Sequence, residues 1–529
     1  MFAKQFFGKI SWVVILVVAA MHAIAIPLQH AQTPSLIALM LMGILVAVIS
    51  WRSLSTGLLI AFAEIMVGGH GHLIDASVGG FAVSLRIVIF AAVMFAWLIL
   101  LLQRRVTPKF FPYRDIPFLM LGTAVVIATA TGVLHNTPGN MFDDMNGYLT
   151  ILYILPMVSV LWDQNFKRQL LHVLCGSAAW IAVSTLLAVF LFTHLPGLAL
   201  HDVYRFVRDA RLAEVTLLTT PSWFVGHLLS TDAPWYFRVF APGQFFTLAT
   251  ALLLGAARFV LWRDGKMPIG ARILFSLCAA TFIASLSRSF FLGAFVGGTV
   301  MFVTVIANIP RPLMRNVRHI TSLTLLTFFG IGLFWGVIAF PWPHHPDLRD
   351  AAFYQEESGD ARGMAVSSRW NLLYPMWEAI IAHPIVGNGF GTEVTFISDD
   401  PRVREITPTG EWTTYRFEWG YQDIWLKMGL LGLAAFIAYA IVLTQAFRFT
   451  VRTQGNRWIA IGLYSGAVAL FAAHAFSPYL NHPIGLGFML FILPFFDWKG
   501  TLSAIEVKDR QRVHVSLAMP RPIAAMHKD

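Results

Sequence analysis

The feature that most constrains this chain is a series of apolar runs, each near the ~20 residues an α-helix needs to cross the hydrocarbon core of a bilayer. They fall at about 10–28, 34–51, 53–68, 84–103, 115–134, 147–163, 169–193, 238–262, 271–287, 289–309, 319–341, 423–447, 457–476 and 482–497. A backbone in lipid must satisfy its own hydrogen bonds, so such runs form helices. The spacing therefore predicts an all-α polytopic membrane protein of about fourteen transmembrane helices, with 53–68 and 482–497 the shortest. Of 529 residues 57% are hydrophobic and only 12% charged, against roughly 25% charged in soluble domains. Residues 1–497 read as a single transmembrane bundle. Residues 498–529 read as a basic cytoplasmic tail, expected to be disordered.

The net charge of +10 would suit nucleic acid if it formed one basic face, and it does not. Lysine and arginine gather in alternate short connections: Arg52; Arg104, Arg105, Lys109 and Arg114; Lys167 and Arg168; Arg263, Lys266 and Arg272; Arg311, Arg315 and Arg318; Arg448, Arg452 and Arg457. The connections at 29–33, 69–83, 135–146 and 477–481 carry neither residue. That alternation is the positive-inside pattern and predicts cytoplasmic N- and C-termini. Lys4 and Lys9 before the run from Ile10 resemble a signal peptide, but no small-residue cleavage site follows, so the run reads as an uncleaved first helix. Cys175 and Cys278 both lie within predicted spans and support neither a disulfide framework nor a zinc site.

Two outer connections are long, about 194–237 and 342–422, and each is expected to hold a short amphipathic helix. In the first, Leu212, Val215 and Leu218 beside Tyr204, Phe206 and Arg211 suggest one lying in the interface. In the second, Trp370, Leu373, Trp377 and Ile380 recur at helical spacing, with Ser367 and Ser368 as caps and Pro375 implying a kink or a later start. Gly387, Gly389 and Gly391 in HPIVGNGFG suit a tight turn with close backbone approach. A dinucleotide reading fails because no strand precedes them.

Arg288, in SLSRSFFLG, falls between two stretches of spanning length. An intramembrane arginine costs about 2.5–3.5 kcal/mol on insertion scales and marks a functional site by default. Its guanidinium is also shaped to grip phosphate. Adjacent carboxylates at Asp143–Asp144 and Asp399–Asp400 read as solvated loop groups, and His344 and His345 lack ligand spacing. His474 reads as a hydrogen-bonded group inside the bundle. Glu64 is the main carboxylate within a span.

SLSRSFFLGAF resembles the serine-arginine span motif of the O-antigen ligase and polymerase superfamily. RWNLLYPMWEAIIAHPIVGNGFG is similar to its periplasmic block, YQDIWLKMGLLGL to the opening of the following helix, and RVFAPGQFFTLATALLL, more loosely, to an earlier arginine-glycine segment. The resemblance covers about the C-terminal 55% of the chain. It implies a metal-independent glycosyltransferase of the GT-C type, without cofactor, in the bacterial inner membrane and with its active site facing the periplasm. The substrate implied is an undecaprenyl-diphosphate-linked glycan; membrane lipids, a flippase and a chain-length regulator are the implied partners. Carried over, Arg238, Arg288 and Arg369 would bind the diphosphate, with His383, Tyr421 and Tyr479 beside the substrate. Ligases commonly show a His-Asn pair before the aromatic-leucine segment. Glu418 and Trp419 stand there instead, which makes Glu418 the expected base and favours a polysaccharide polymerase over a ligase. A lipid-glycan flippase or transporter is the competing class; it would be expected to show repeated halves and midplane sites, and no repeat is visible.

Overall fold

The computed structural model describes residues 5–29, 31–78, 81–195, 197–219, 235–262, 266–309, 313–343, 368–453 and 455–498. The N-terminal helices are α1 (Lys9–Leu28), α2 (Gln32–Arg52), α3 (Leu54–Val67), α4 (Leu85–Leu102), α5 (Pro112–His135), α6 (Pro138–Tyr148), α7 (Ile154–Ser159) and α8 (Gln164–His194). After α9 (Gly197–Asp209) come α10 (Gln244–Val260), α11 (Ile269–Ser285), α12 (Arg288–Asn308) and α13 (Leu313–Ile338). The C-terminal part holds α14 (Leu373–Ala382), α15 (Pro401–Ile406), α16 (Gly420–Thr453), α17 (Arg457–His474) and α18 (Pro483–Phe491). Eight of these are long and apolar enough to cross a membrane, namely α1, α2, α4, α5, α8, α12, α13 and α16, and α3, α10, α11 and the segment from Pro483 are shorter apolar helices.

Helix starts follow local chemistry. Ser53, Ser84 and Asp163 cap α3, α4 and α8 with their side-chain oxygens, satisfying amides that the first turn leaves unpaired. Pro112 and Pro138 open α5 and α6, where a missing N–H costs nothing. The bundle is closed by pairings far apart in sequence: α12 and α10 pack on α17, α16 on α5, α11 on α13, and α1 on α8.

Several expectations need correction. Among the described residues three antiparallel strand pairs accompany the helices: β1 (Asp75–Val78) with β2 (Phe81–Ser84), β3 (Glu214–Thr219) with β4 (Trp235–Phe240), and β5 (Val394–Ile397) with β6 (Glu411–Thr414). The amphipathic helix of the first long connection is α9; Arg211, at φ +49°, ends that stretch, and Val215 and Leu218 lie in β3. Alternating β-formers in EVTLLT and WYFRVF explain this strand pair. Arg238 accordingly lies in β4, ahead of the helix that starts at Gln244. The connection at 135–146 is largely helical, as α6, and the run at 147–163 is broken into the end of α6, a 3₁₀ turn and α7. In the second long connection α14 starts late, at Leu373, with Pro375 in its first turn. Ser368 does not cap it; its hydroxyl accepts the amides of Asp399 and Asp400 at 2.7 and 3.0 Å. Ser367, His344, His345 and the tail lie outside the described residues.

The turn Gly387–Gly391 is a structural node. Gly387, Gly389 and Gly391 all have φ between +80° and +86°. A Cβ on them would come within 2.6 Å of Gly429 N, 2.5 Å of Gly132 N and 2.5 Å of Met141 N respectively. Helix α16 is broken at Gly429 (φ 63°, ψ −164°). The amides of Asn388 and Gly389 donate to the carbonyls of Leu426 and Lys427, and Leu430 N donates to Pro384 and Ile385. Irregular backbone at membrane depth is tolerated where protein satisfies it, and here the turn does so.

Candidate active site

A cavity of about 1000 Å³ is lined by His70, Arg86, Asp144, Arg211, Glu214, Arg416, Asp423, Lys427, Asn481 and His482, among others. Its walls come from the α3–β1 connection, the start of α4, α6, the turn between α9 and β3, the segment before α16, and the α17–α18 connection. Five of the connections that charge placement assigns to one side of the membrane thus meet at one site.

The charges are built in pairs. Arg86 donates from Nε to both Glu64 carboxylate oxygens at 3.0 and 2.9 Å, and from Nη2 to Gly69 O at 3.0 Å. Lys427, 5% exposed, reaches Asp144 at 2.9 Å and Asp423 at 2.8 Å, donates to Tyr415 O at 2.8 Å, and lies 5.0 Å over the Phe417 ring. Asp144 also accepts Gly391 N at 2.7 Å, and Asp423 accepts Asn481 Nδ2 at 2.6 Å. The glycine turn, α6, α16 and the α17–α18 connection are therefore pinned by one buried ionic cluster. Asp143 pairs in the open with Arg416 at 2.9 Å. Arg211 Nη1 stands 3.5 Å from His72 Nε2, and His72 Nδ1 is 3.1 Å from Asp75.

The cationic wall acts on two imidazoles. Burial, then the charges of Arg86, His72, Arg211 and Arg416, push His70 down to about 4. Burial, then His70 and Arg86, hold His482 well below the usual histidine value. Both rings are neutral at physiological pH.

The residues expected from sequence sit beside this cavity or away from it, and none of the three arginines lines it. Arg238 donates from Nε to Ser285 O at 2.8 Å, with its guanidinium 5.3 Å over Phe240. Arg288 is exposed at the start of α12, just past the left-handed Leu286 (φ 44°) that separates it from α11. It has no ion-pair or hydrogen-bond partner among the described residues. Arg369 and Glu418 pair at 2.6 Å, both half-exposed. Burial chiefly raises the Glu418 carboxyl, with Arg369 opposing and Glu214 reinforcing. Tyr479 is buried between Phe245 and Phe290, its hydroxyl without a partner among the described residues. Burial and Glu214 raise its phenol, and Arg238 opposes. Glu214, which lines the cavity, is thus the common neighbour of Glu418 and Tyr479. Ser289, next to Arg288, accepts from Ser477 at 3.0 Å, which ties the start of α12 to the α17–α18 connection. His383 and Tyr421 do not line the cavity either. His383 is exposed at the end of α14, where its carbonyl accepts Gly387 N. Tyr421 donates to Phe471 O at 2.8 Å and lines a separate apolar groove of about 760 Å³ with Trp377, Trp425 and Ile441.

Sequence reasoning passed over His70, Arg86, Arg211, Arg416, Lys427 and Asp423, and it read Asp144 as solvated. A lysine inside an apolar run was the available signal. Among the described residues no three His, Cys, Asp or Glu side chains are grouped to hold a metal ion.

Residues 273–437 match the family model described as O-antigen ligase. Over that stretch, less than half of the chain, the match supports an O-antigen ligase/polymerase-like superfamily. Three of the four resembling segments fall inside the matched stretch of this ligase-like protein, and the one around Arg238 falls before it. With its long apolar helices, the match makes it a multi-pass membrane protein. No curated protein matches the chain. No solved structure does either.

Proposed function

We propose that this ligase-like protein is an inner-membrane polysaccharide polymerase, transferring a sugar chain from an undecaprenyl-diphosphate-linked donor to a hydroxyl of a second lipid-linked repeat unit at the periplasmic face. The observation that carries the reading is the cavity itself, where Arg86, Arg211 and Arg416 converge. The hydroxyl oxygen attacks the anomeric carbon while the bond to the diphosphate breaks, and the leaving group carries about two negative charges. Fixed guanidinium groups positioned where that charge develops stabilise the transition state more than the ground state. The chemistry is of the metal-independent GT-C type, with side chains supplying the positive charge.

The family description favours a second reading, an O-antigen ligase that uses the same donor and a lipid A core acceptor. The transporter class draws some support from the broken helix α16 carrying Asp423 and Lys427, a feature transporters share. Those two charges are engaged with each other, Asp144 and Asn481, which argues against a transport role. The test is purified protein with a single lipid-linked repeat unit. A ladder of longer lipid-linked glycans is expected, and Arg211→Ala should abolish it. Product formed only after addition of lipid A core would replace the polymerase reading with the ligase one. Movement of the lipid across vesicles without transfer would replace both.

A further inference from the structure

Three imidazoles line the cavity, His70, His72 and His482, and two of them have an evident structural task. His72 Nδ1 is held by Asp75 at 3.1 Å. His482 Nδ1 accepts the amide of Ile484 at 3.4 Å, capping α18, which leaves its proton on Nε2. The His70 ring meets the His482 ring edge to face at 5.2 Å and has no side-chain hydrogen bond among the described residues. The groups that act on it most are Arg86 on α4, His72 on its own connection, Arg211 before β3 and Arg416 before α16, with the His482 ring against it; Glu214 at the start of β3 lines the same cavity. Of the other carboxylates near them, Glu64 is committed to Arg86, Asp75 to His72 and Asp143 to Arg416. A free imidazole that shares a cavity with Arg86, Arg211 and Arg416 suits an anion as its neighbour.

We propose that His70 is the proton acceptor for the attacking hydroxyl, and that the diphosphate of the bound donor arms it. This rests on the transferase reading above. The oxygen of the acceptor forms the new bond to the anomeric carbon. The bond from that carbon to the diphosphate breaks, and its electron pair leaves with the lipid diphosphate. The hydroxyl proton passes to a His70 ring nitrogen, and the imidazolium stands beside the departing anion until solvent takes the proton. No other reactant is required. In the empty cavity burial and the surrounding cations hold the ring down to about 4, so it is neutral but a weak base. An anion bound to the same arginines cancels their field and favours the protonated ring, raising its proton affinity by roughly 1–3 pH units. A base near the working pH is the most effective one. Glu418, by contrast, is paired with Arg369 and absent from the cavity wall.

Two measurements on the full chain in micelles test this. The first is histidine-selective ¹³C NMR with farnesyl diphosphate as an unreactive probe and His70→Gln to assign the signal. The His70 resonance should titrate near 4 alone and roughly 1–3 units higher with the probe, while farnesol leaves it in place. Probe binding without movement of that resonance overturns the inference alone; failure of the probe to bind overturns the transferase reading with it. The second is turnover with lipid-linked repeat units. His70→Gln should lower kcat by roughly 10²–10⁴-fold with KM within about threefold and the thermal midpoint unchanged, while Glu418→Gln stays within about tenfold. The reverse pattern makes Glu418 the base and rejects His70.

Discussion

The cavity has two contributors that behave differently. The stretch 273–437, matched to the O-antigen ligase family, supplies Arg416, Asp423 and Lys427 to the wall; its Arg288, Arg369 and Glu418, exposed or half-exposed, do not line the cavity. The segments outside it supply His70, Arg86, Asp144 and Arg211, and of these Arg86 and Asp144 are locked into buried pairs. Lys427 is where the two meet, a family-segment side chain held by Asp144 from 283 residues earlier. The contrast teaches that the matched segment carries the glycine turn and the exposed charges, while the rest of the chain furnishes most of the enclosed charge. Exposed charges can change without disturbing the fold. Buried ones cannot.

The largest effect is expected at the glycine turn. Gly389→Ala and Gly391→Ala each force a Cβ against backbone at 2.5 Å in a left-handed conformation. Left-handed backbone alone costs about 1–2 kcal/mol per non-glycine residue, and displaced helices add to that. Little monodisperse protein should survive detergent extraction. Gly298, also in the matched stretch, meets nothing within 4 Å, and Gly298→Ala should stabilise α12 by up to about 1 kcal/mol. Equal yields of the two classes would contradict the role of the turn.

Next come the buried pairs. Arg86→Met leaves Glu64 uncompensated, and Lys427→Met does the same to Asp144 and Asp423. Each should cost about 3–5 kcal/mol, read as a fall in thermal midpoint. Adding Glu64→Gln to Arg86→Met should restore much of the stability and none of the transfer, since the guanidinium is still missing. Recovery of transfer in that double variant would remove Arg86 from the proposed phosphate wall.

A smaller effect concerns pH. His70 and His482 are held neutral in the fold by burial and by cations, so the unfolded chain binds more protons below the ordinary histidine value of about 6.5. Stability should therefore fall as pH drops from about 6.5 towards 4, where the folded His70 begins to take its proton. His70→Gln should flatten part of that decline in pH-resolved thermal denaturation. An unchanged slope would mean that the ring is solvated.

How much of this was legible follows the same division. Apolar runs revealed most helices because lipid imposes a length and forbids open backbone. The glycine turn was legible because positive φ demands glycine. The strand pair carrying Arg238 was hidden inside an apolar run, where strand and helix look alike over short lengths. The partners of the cavity charges were hidden for a different reason. Glu64 and Arg86 are 22 residues apart and Asp144 and Lys427 283, and nothing local ties either pair together. Asp144 looked like its exposed neighbour Asp143 because adjacent residues on α6 are turned about 100° apart, one towards Lys427 and one towards Arg416.

The smallest effect on stability separates the exposed charges from the wall most sharply. Arg288 is exposed, has no partner among the described residues, and sits at the positive end of the α12 dipole, an unfavourable place for a cation. Arg288→Ala should leave the thermal midpoint within about 0.5 kcal/mol of wild type, or raise it slightly. Under the transferase reading the same change removes long glycan, and Arg288→Lys does not rescue it, because an ammonium cannot grip a diphosphate in two places. A side chain that costs the fold nothing to lose and the product everything would be held there for a ligand. Normal glycan lengths in both variants would leave Arg288 as a membrane-surface anchor and confine the chemistry to the cavity wall.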